Sequence, residues 1–366
     1  MIRKICFKSF IYSFIIISLL GCNASLKVEE NKGSIDSKTK DYRVNTIAFY
    51  NVENLFDFED DPITFDDDRT PEGKDHWTEE IYNAKLVNIA KVISEIGTDI
   101  TGTTPAVVGL CETENRRVLE DLLNQESLVQ EDYGIVQFDS PDRRGIDVAL
   151  LYKKRLFTPT NSKTHTLYIY DNVDNTKRVY TRDQLVVSGM LDGEKIHFIV
   201  NHWPSRSGGE ERSRYKRNKA AALNRHIVDS LFSQDPYAKV ITMGDFNDDP
   251  SNESIKKYLG AKKEKEGIQI KELYNPMESM HKKGIGTLAY RDHWNLFDQM
   301  IISTELTKDD YSSYRLYKAG IFNKNYLVNP RGRYKDYPFR SFTGGSFTGG
   351  YSDHFPVYLL LIKDIN

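Results

Sequence analysis

The stretch Val240-Ile241-Thr242-Met243-Gly244-Asp245-Phe246-Asn247-Asp248-Asp249-Pro250 joins a short apolar run to a Gly, then sets a carboxylate and an amide two residues apart. The run reads as a buried strand and the remainder as its exit loop. Residues i and i+2 of a strand share a face, so Asp245 and Asn247 are expected to point the same way from the mouth of a sheet, a base beside a hydrogen-bonding clamp. Taken alone, the pattern is also that of an ordinary strand closed by an Asx-turn. What separates the two readings is whether other strands end in the same kind of chemistry.

Working outward, they do. Thr46–Tyr50 reads as a strand running into Asn51, and Ala106–Cys111 as a strand that delivers Glu112. Strands near 133–138 and 146–152 follow. Leu185–Leu191 and Ile196–Val200 flank Asp192-Gly193, a strong hairpin signal, and the second of them ends in Asn201-His202-Trp203-Pro204-Ser205. Leu296–Ser303 carries Asp298, and the last strand, Val357–Ile362, follows Ser352-Asp353-His354-Phe355-Pro356. Helical spacing is expected over 78–96, closed by Gly97, over 115–123, and over 210–232 with an apolar stripe at Ala220, Leu223, Ile227 and Leu231. The acidic run 57–68 reads as a solvated loop, with a calcium site as the minor alternative, and 256–283 as polar and weakly structured. The duplicated Ser-Phe-Thr-Gly-Gly at 341–345 and 346–350 is too short for a solenoid and is expected to form a mobile loop. Hairpin-spaced strands with interspersed helices predict one α+β domain over 43–366, built from two stacked, mainly antiparallel β-sheets flanked by helices.

Ahead of that domain, Arg3, Lys4 and Lys8 precede an apolar segment, Phe10–Leu20, that is too short to span a bilayer. Its end, Leu19-Leu20-Gly21-Cys22, resembles the lipobox of bacterial lipoproteins. The resemblance implies a signal peptide over 1–21, a lipidated Cys22 and a protein exported to the cell envelope, its only membrane contact a lipid anchor. Residues 22–42, polar and nearly free of apolar side chains, are expected to be a flexible tether. Cys111 would then be the one free thiol, buried in a strand, and stability must come from core packing without a disulfide. Without residues 1–21 the chain has 47 basic against 53 acidic residues, a net of −6. Such a balance argues against holding nucleic acid by bulk charge, so a phosphate must be met locally, by a basic patch or a metal.

The strand-end residues stand in contexts that resemble the endonuclease/exonuclease/phosphatase superfamily, the deoxyribonuclease-I-like fold. The matching stretches, in the family's order, are F-Y-N-V-E-N-L-F-D at 49–57, G-L-C-E at 109–112, R-R-G-I-D-V-A-L-L-Y at 143–152, N-H-W-P-S-R at 201–206, M-G-D-F-N-D-D-P at 243–250, F-D-Q-M-I-I-S at 297–303 and Y-S-D-H-F-P-V at 351–357. The resemblance implies a four-layer α/β sandwich and a metal-dependent phosphoesterase. It makes Glu112 a ligand of Mg²⁺ or Mn²⁺, with Asn51 and Asp353 beside the metal. It makes Asp245 the group that orients or deprotonates the attacking water and Asn247 the holder of the phosphate. His354, paired with Asp298, and His202 become the catalytic histidines, and Arg144 and Arg206 candidate phosphate contacts. Hard oxygen ligands suit those ions, and clustered anions call for a cation.

The resemblance leaves the substrate open. A nuclease acting on DNA or RNA is the first expectation, hydrolysis of phospholipid headgroups or inositol phosphates the alternative, and a catalytically silent binding protein the second alternative; the protein is expected to act as a monomer. Glu53 either joins the metal cluster or satisfies a loop, and Asp147 carries no assigned role.

Overall fold

A computed structural model describes residues 25–28 and 40–365. The expected signal peptide and Cys22 lie outside them. Two seven-stranded sheets form the body. The first runs in the order Arg315–Ile321, Val357–Asp364, Lys40–Leu55, Val107–Thr113, Asp147–Lys153, Tyr133–Gln137, with Ser25–Val28 paired to Lys40–Leu55 as its seventh strand; the second runs Ala261–Lys262, Leu273–Tyr274, Asp298–Ser303, Val240–Asp245, Glu194–His202, Gln184–Leu191, Phe157–His165. Most neighbours are antiparallel. Each sheet nevertheless holds a parallel pair at its centre, Lys40–Leu55 with Val107–Thr113 and Glu194–His202 with Val240–Asp245. A parallel pair needs a crossover, and helices Glu79–Glu95 and Glu210–Gln234 supply the two.

Alternation along the strands divides the apolar side chains between faces. Phe49, Leu150, Val187, Phe198, Met243, Met300 and Val357 fill the space between the sheets. On the outer face of the first sheet, Tyr50, Leu110 and Leu151 cover Leu86, Ile89, Ile93 and Leu119 of the helices. On the outer face of the second, Ile199, Val240 and Ile301 meet Ala220, Ile227 and Leu231. The result is the four-layer α/β sandwich, with each buried Leu, Ile or Phe contributing roughly 1.5–3 kcal/mol relative to exposure. Cys111 is buried in its strand as expected.

Several expectations change. The repeat at 341–350 is no open loop: Phe342–Thr343 and Ser346–Phe347 pair as a hairpin, turning at Gly344 (φ +62) and Gly345 (φ +78). Two consecutive positive φ values are the demand of a type I′ turn, which Gly-Gly meets. Within the stretch expected as a tether, Ser25–Val28 pairs with Lys40–Arg43; its Leu26 and Val28 alternate with Ser25 and Lys27, the period of a strand. The polar region after 256 contributes two short strands, Leu273–Tyr274 beside Asp298–Ser303 and Ala261–Lys262 at the edge. Phe157–His165 and Arg315–Ile321 were not anticipated: both are edge strands whose mixed exposure blurs the period-2 signal.

Candidate active site

Parallel strands end, and their antiparallel neighbours begin, at one edge of each sheet. The two central pairs therefore deliver Asn51, Glu112, His202 and Asp245 to the same end of the sandwich. Asp298 stands opposite Asp245 in register. Val357 stands opposite Phe49, which brings the preceding Asp353-His354 to that edge as well.

The backbone distorts to aim these groups. Glu112 lies at φ +63, in a register shift between Cys111 and Thr113, and a second irregularity between Asn51 and Leu55 holds Glu53 and Asn54 at φ +50 and +54. Asn247 is at φ +50. Left-handed conformations of non-glycine residues cost on the order of 1–3 kcal/mol each and cluster where a bulge re-aims a side chain. Two motif glycines have packing reasons. A Cβ at Gly244 would meet the Asn201 carbonyl oxygen at 2.3 Å, and one at Gly109 would meet Met243 Cε at 2.9 Å.

Asn51 Nδ2 donates to Glu112 Oε1 (3.2 Å) and Asp245 Oδ2 (3.1 Å), while its amide oxygen accepts from the Glu53 N–H (3.0 Å). The backbone N–H of Asn54 holds the other Glu112 oxygen at 3.0 Å. His202 Nε2 lies 3.7 Å from both Glu112 Oε1 and Asp245 Oδ2. Asp245 Oδ1 accepts from the Asn247 N–H at 2.8 Å, and Asn247 Nδ2 donates to the Trp203 carbonyl at 3.0 Å. His354 Nδ1 is 2.7 Å from Asp298 Oδ2, which also accepts from Thr287 Oγ1. Ser352 Oγ donates to the Asn51 carbonyl and accepts from the His354 N–H, locking the Asp353-His354 turn to the Asn51 strand.

Burial raises the Asp245 carboxyl to about 7, with Asp298 and Glu112 adding to the rise and His354 opposing it. Burial favours neutral His354, but the Asp298 carboxylate, with Asp353 and Asp245, overrides it and holds the imidazole protonated, its pKa well above the usual range. His202 goes the other way: burial, with Arg182, Arg144 and His354 nearby, keeps it neutral. The two histidines thus offer one cation and one neutral ring.

Among the described residues two groups could hold a metal ion, Glu112–His202–Asp245 and Asp245–Asp298–His354, each with its ligand atoms within 4.8 Å of one another. The donor set fits a divalent cation. Three carboxylates converge on a buried spot, and Asp298 Oδ1 is buried without a hydrogen-bond partner. Asn51 orients both carboxylates through its amide donors.

The remaining expected residues are placed differently from one another. Asp353 is outside both groups and pairs with Arg340 at 3.1 Å. Arg144 binds Asp142 through Nε (3.1 Å) and Nη2 (3.3 Å), with its side chain 49% exposed toward solvent. Arg206, expected at the substrate phosphate, is engaged elsewhere: its guanidinium donates to the Asn247 carbonyl, Glu210, Asp248, Asp249 and Asn252, and lies over the Phe297 ring. It fixes the loop after Asp245. Asp147 accepts from Ser140 and Gln137 and so ties down the loop that carries Arg144. Glu53 accepts from Ser341 N, Ser341 Oγ and Arg340 Nε, satisfying the 340–350 loop rather than the metal groups. Arg340 was not foreseen; nothing local in Pro-Phe-Arg-Ser signals that it reaches Glu53 and Asp353.

Residues 46–363 match the Endonuclease/Exonuclease/phosphatase family, and the chain belongs to it. Among solved structures it is similar to an endonuclease/exonuclease/phosphatase family protein from Bacteroides thetaiotaomicron, with 16% identity, 88% of this chain and 99% of the other covered, and a TM-score of 0.53. A humanised TDP2 from D. rerio shares 13% identity over 87% and 98% of the two chains, with a TM-score of 0.52. The catalytic domain of human Nocturnin, with a bound sulfate, shares 14% identity over 87% and 94%, with a TM-score of 0.51. Identities this low bear on the fold. Sequence comparison with curated proteins found no match. Membership gives the class of hydrolases acting on phosphate esters, a family that generally uses divalent metal.

Proposed function

We propose that this chain is a divalent-metal-dependent phosphoesterase that hydrolyses phosphodiester bonds, nucleic acid being its first substrate. The observation that carries the reading is Asp245, shared by two metal-capable groups and flanked by a neutral and a protonated histidine. Glu112 and His202 would hold Mg²⁺ or Mn²⁺, which would supply Lewis-acid stabilisation of charge on the phosphoryl oxygens and leave Asp245 to act on the attacking water. Asp245, fixed by Asn51 and the Asn247 N–H, accepts the proton of the attacking water as its oxygen bonds to phosphorus, an effect of about 10²–10⁴-fold, while the bond from phosphorus to the leaving oxygen breaks and that oxygen takes a proton from solvent. Protonated His354 donates from Nε2 to a non-bridging oxygen while Asp298 keeps Nδ1 occupied. The remaining amide hydrogen of Asn247 and the exposed Arg144 hold the phosphate.

A recess next to Asn54, lined by Asp68, Arg69, Lys74, Asp75 and Arg340, supports a second reading. Its mixed charges suit a small polar substrate such as an inositol phosphate or a phospholipid headgroup. We place the protein at the envelope, anchored through Cys22 and acting as a monomer, a reading that rests on the lipobox-like stretch and the composition alone. Incubation of residues 25–366 with Mg²⁺ or Mn²⁺ and DNA, RNA, inositol phosphates and sphingomyelin tests the activity and ranks the substrates. Parental hydrolysis by Asp245→Ala and His354→Ala would sink the mechanism.

A further inference from the structure

Next to Arg144, its motif neighbour Arg143 forms a surface ladder with Tyr180, Arg178 and Tyr168, which lie outside every matching stretch. The Arg178 guanidinium lies 4.6 Å from the Tyr168 ring centre and 4.7 Å from that of Tyr180, and Arg143 lies 5.2 Å from Tyr180. The short hairpin Ile169–Tyr170 with Arg178–Val179 builds it. Ile169 is buried, so its chain neighbours Tyr168 and Tyr170 turn outward. Tyr168 is 62% and Tyr180 41% exposed.

The ladder is continuous with the catalytic edge. Two residues after Tyr180, buried Arg182 donates to Asp142 (2.9 Å) and to the Trp203 carbonyl (2.6 Å). The same Asp142 holds Arg144, and Trp203 follows His202. A rigid connection therefore runs from the tyrosines to the phosphate-facing arginine. Single exposed rings are ordinary on a protein surface, but two rings bridged by one guanidinium are held in place and keep little rotational freedom to lose when a ligand stacks on them. Five cations, Arg143, Arg144, Lys177, Arg178 and Arg182, face four carboxylates here: Asp142 pairs with Arg144 and Arg182, Asp183 lies near Arg178, and Asp171 and Asp174 accept from the hairpin's own backbone N–H groups, which leaves Arg143 without a carboxylate among these four.

We propose that this ladder binds single-stranded nucleic acid beside the scissile phosphate, unpaired bases stacking on Tyr168 and Tyr180 while Arg143 and Arg178 meet the flanking phosphates. Unpaired bases expose the π-faces that a tyrosine platform needs, and a duplex hides them. The proposal rests on the phosphodiesterase reading for the position of the scissile phosphate, but its binding test does not.

The test uses residues 25–366 and three versions of the platform: parent, Tyr168→Leu/Tyr180→Leu and Tyr168→Phe/Tyr180→Phe. Fluorescence anisotropy of a labelled single-stranded oligodeoxynucleotide in EDTA reads binding without catalysis. With Mg²⁺, KM is measured for that strand, for its duplex and for bis(p-nitrophenyl) phosphate. The Leu pair is expected to weaken the single strand about tenfold or more, the Phe pair to stay near the parent, and the small diester to keep its KM. Parental affinity in the Leu pair, a KM for the small diester that rises in step, or tighter binding of the duplex than of the single strand would overturn the proposal. Hydrolysis of the small diester without binding of the strand would overturn it while leaving the phosphoesterase reading intact. Binding of the strand with no hydrolysis of any ester would sink the phosphoesterase reading instead.

Discussion

Asp245 shows how one side chain acquires a role from its surroundings. As the first of four acidic or amide residues over 245–249 it would be an ordinary cap; buried under Asn51, beside Glu112 and Asp298, its carboxyl is raised to about 7 and stands between one neutral and one protonated histidine. Replacement Asp245→Asn is expected to lower kcat by about 10²–10⁴-fold, with the fold unchanged by circular dichroism. A second carboxyl offers a test on stability. Burial raises Glu114 to about 8, with Asp57, Asp66 and Asp61 adding to the effect, against about 4.3 in an unfolded chain. The folded state therefore keeps a proton that the unfolded state releases, and stability falls as pH rises from about 4 to about 8 and is level above that. Glu114→Gln keeps an acceptor for the Asp57 N–H and is expected to remove that part of the slope. Urea midpoints at pH 5 and pH 8 check this, and parallel losses in parent and variant would count against it.

At the scale of elements, the site depends on how the second sheet is tied to its crossover helix. Asn201, fully buried, donates to Thr242 Oγ1 and to the Ile199 and Met243 carbonyls, and accepts from Trp203 Nε1 and Asn224 Nδ2. Its neighbour His202 points into the site because this amide anchors the strand end to both the adjoining strand and helix Glu210–Gln234. Asn201→Ala takes the acceptor from two buried donors, Trp203 Nε1 and Asn224 Nδ2, and is expected to cost about 2–4 kcal/mol, read as a lower urea midpoint. Gly244→Ala pushes a methyl group into the Asn201 backbone and should cost about 1–3 kcal/mol while lowering kcat through displacement of Asp245. Full activity in both variants would separate the scaffold from the site.

For the whole molecule, the site exists only where the two sheets meet: Asn51 and Glu112 come from one, His202, Asp245 and Asp298 from the other. Chelation is expected to abolish hydrolysis of every ester in the panel and readdition of Mg²⁺ or Mn²⁺ to restore it, with a rise in Tm on metal addition. Unchanged hydrolysis in EDTA would exclude the metal-dependent reading. Because the core between the sheets is shared, changes at that interface reach both halves of the site.

By itself the chain's sequence determined the stacked-sheet class, since strand periods, the Asp192-Gly193 turn and the crossover helices are local properties of neighbouring residues. It also marked Asn51, Glu112, His202, Asp245, Asn247, Asp298 and His354 as strand-end polar groups. Only the tertiary structure decided what each one touches. Arg206 and Arg144 have the same charge and stand in equally suggestive stretches, yet the first is enclosed by Asp248, Asp249 and Glu210 and the second stays exposed beside Asp142. Arg340, Glu53 and Asp353 meet across 287 and 13 residues of chain. Periodicity reports which face a residue takes; charge state, partner and access depend on contacts between distant segments, which no local pattern encodes.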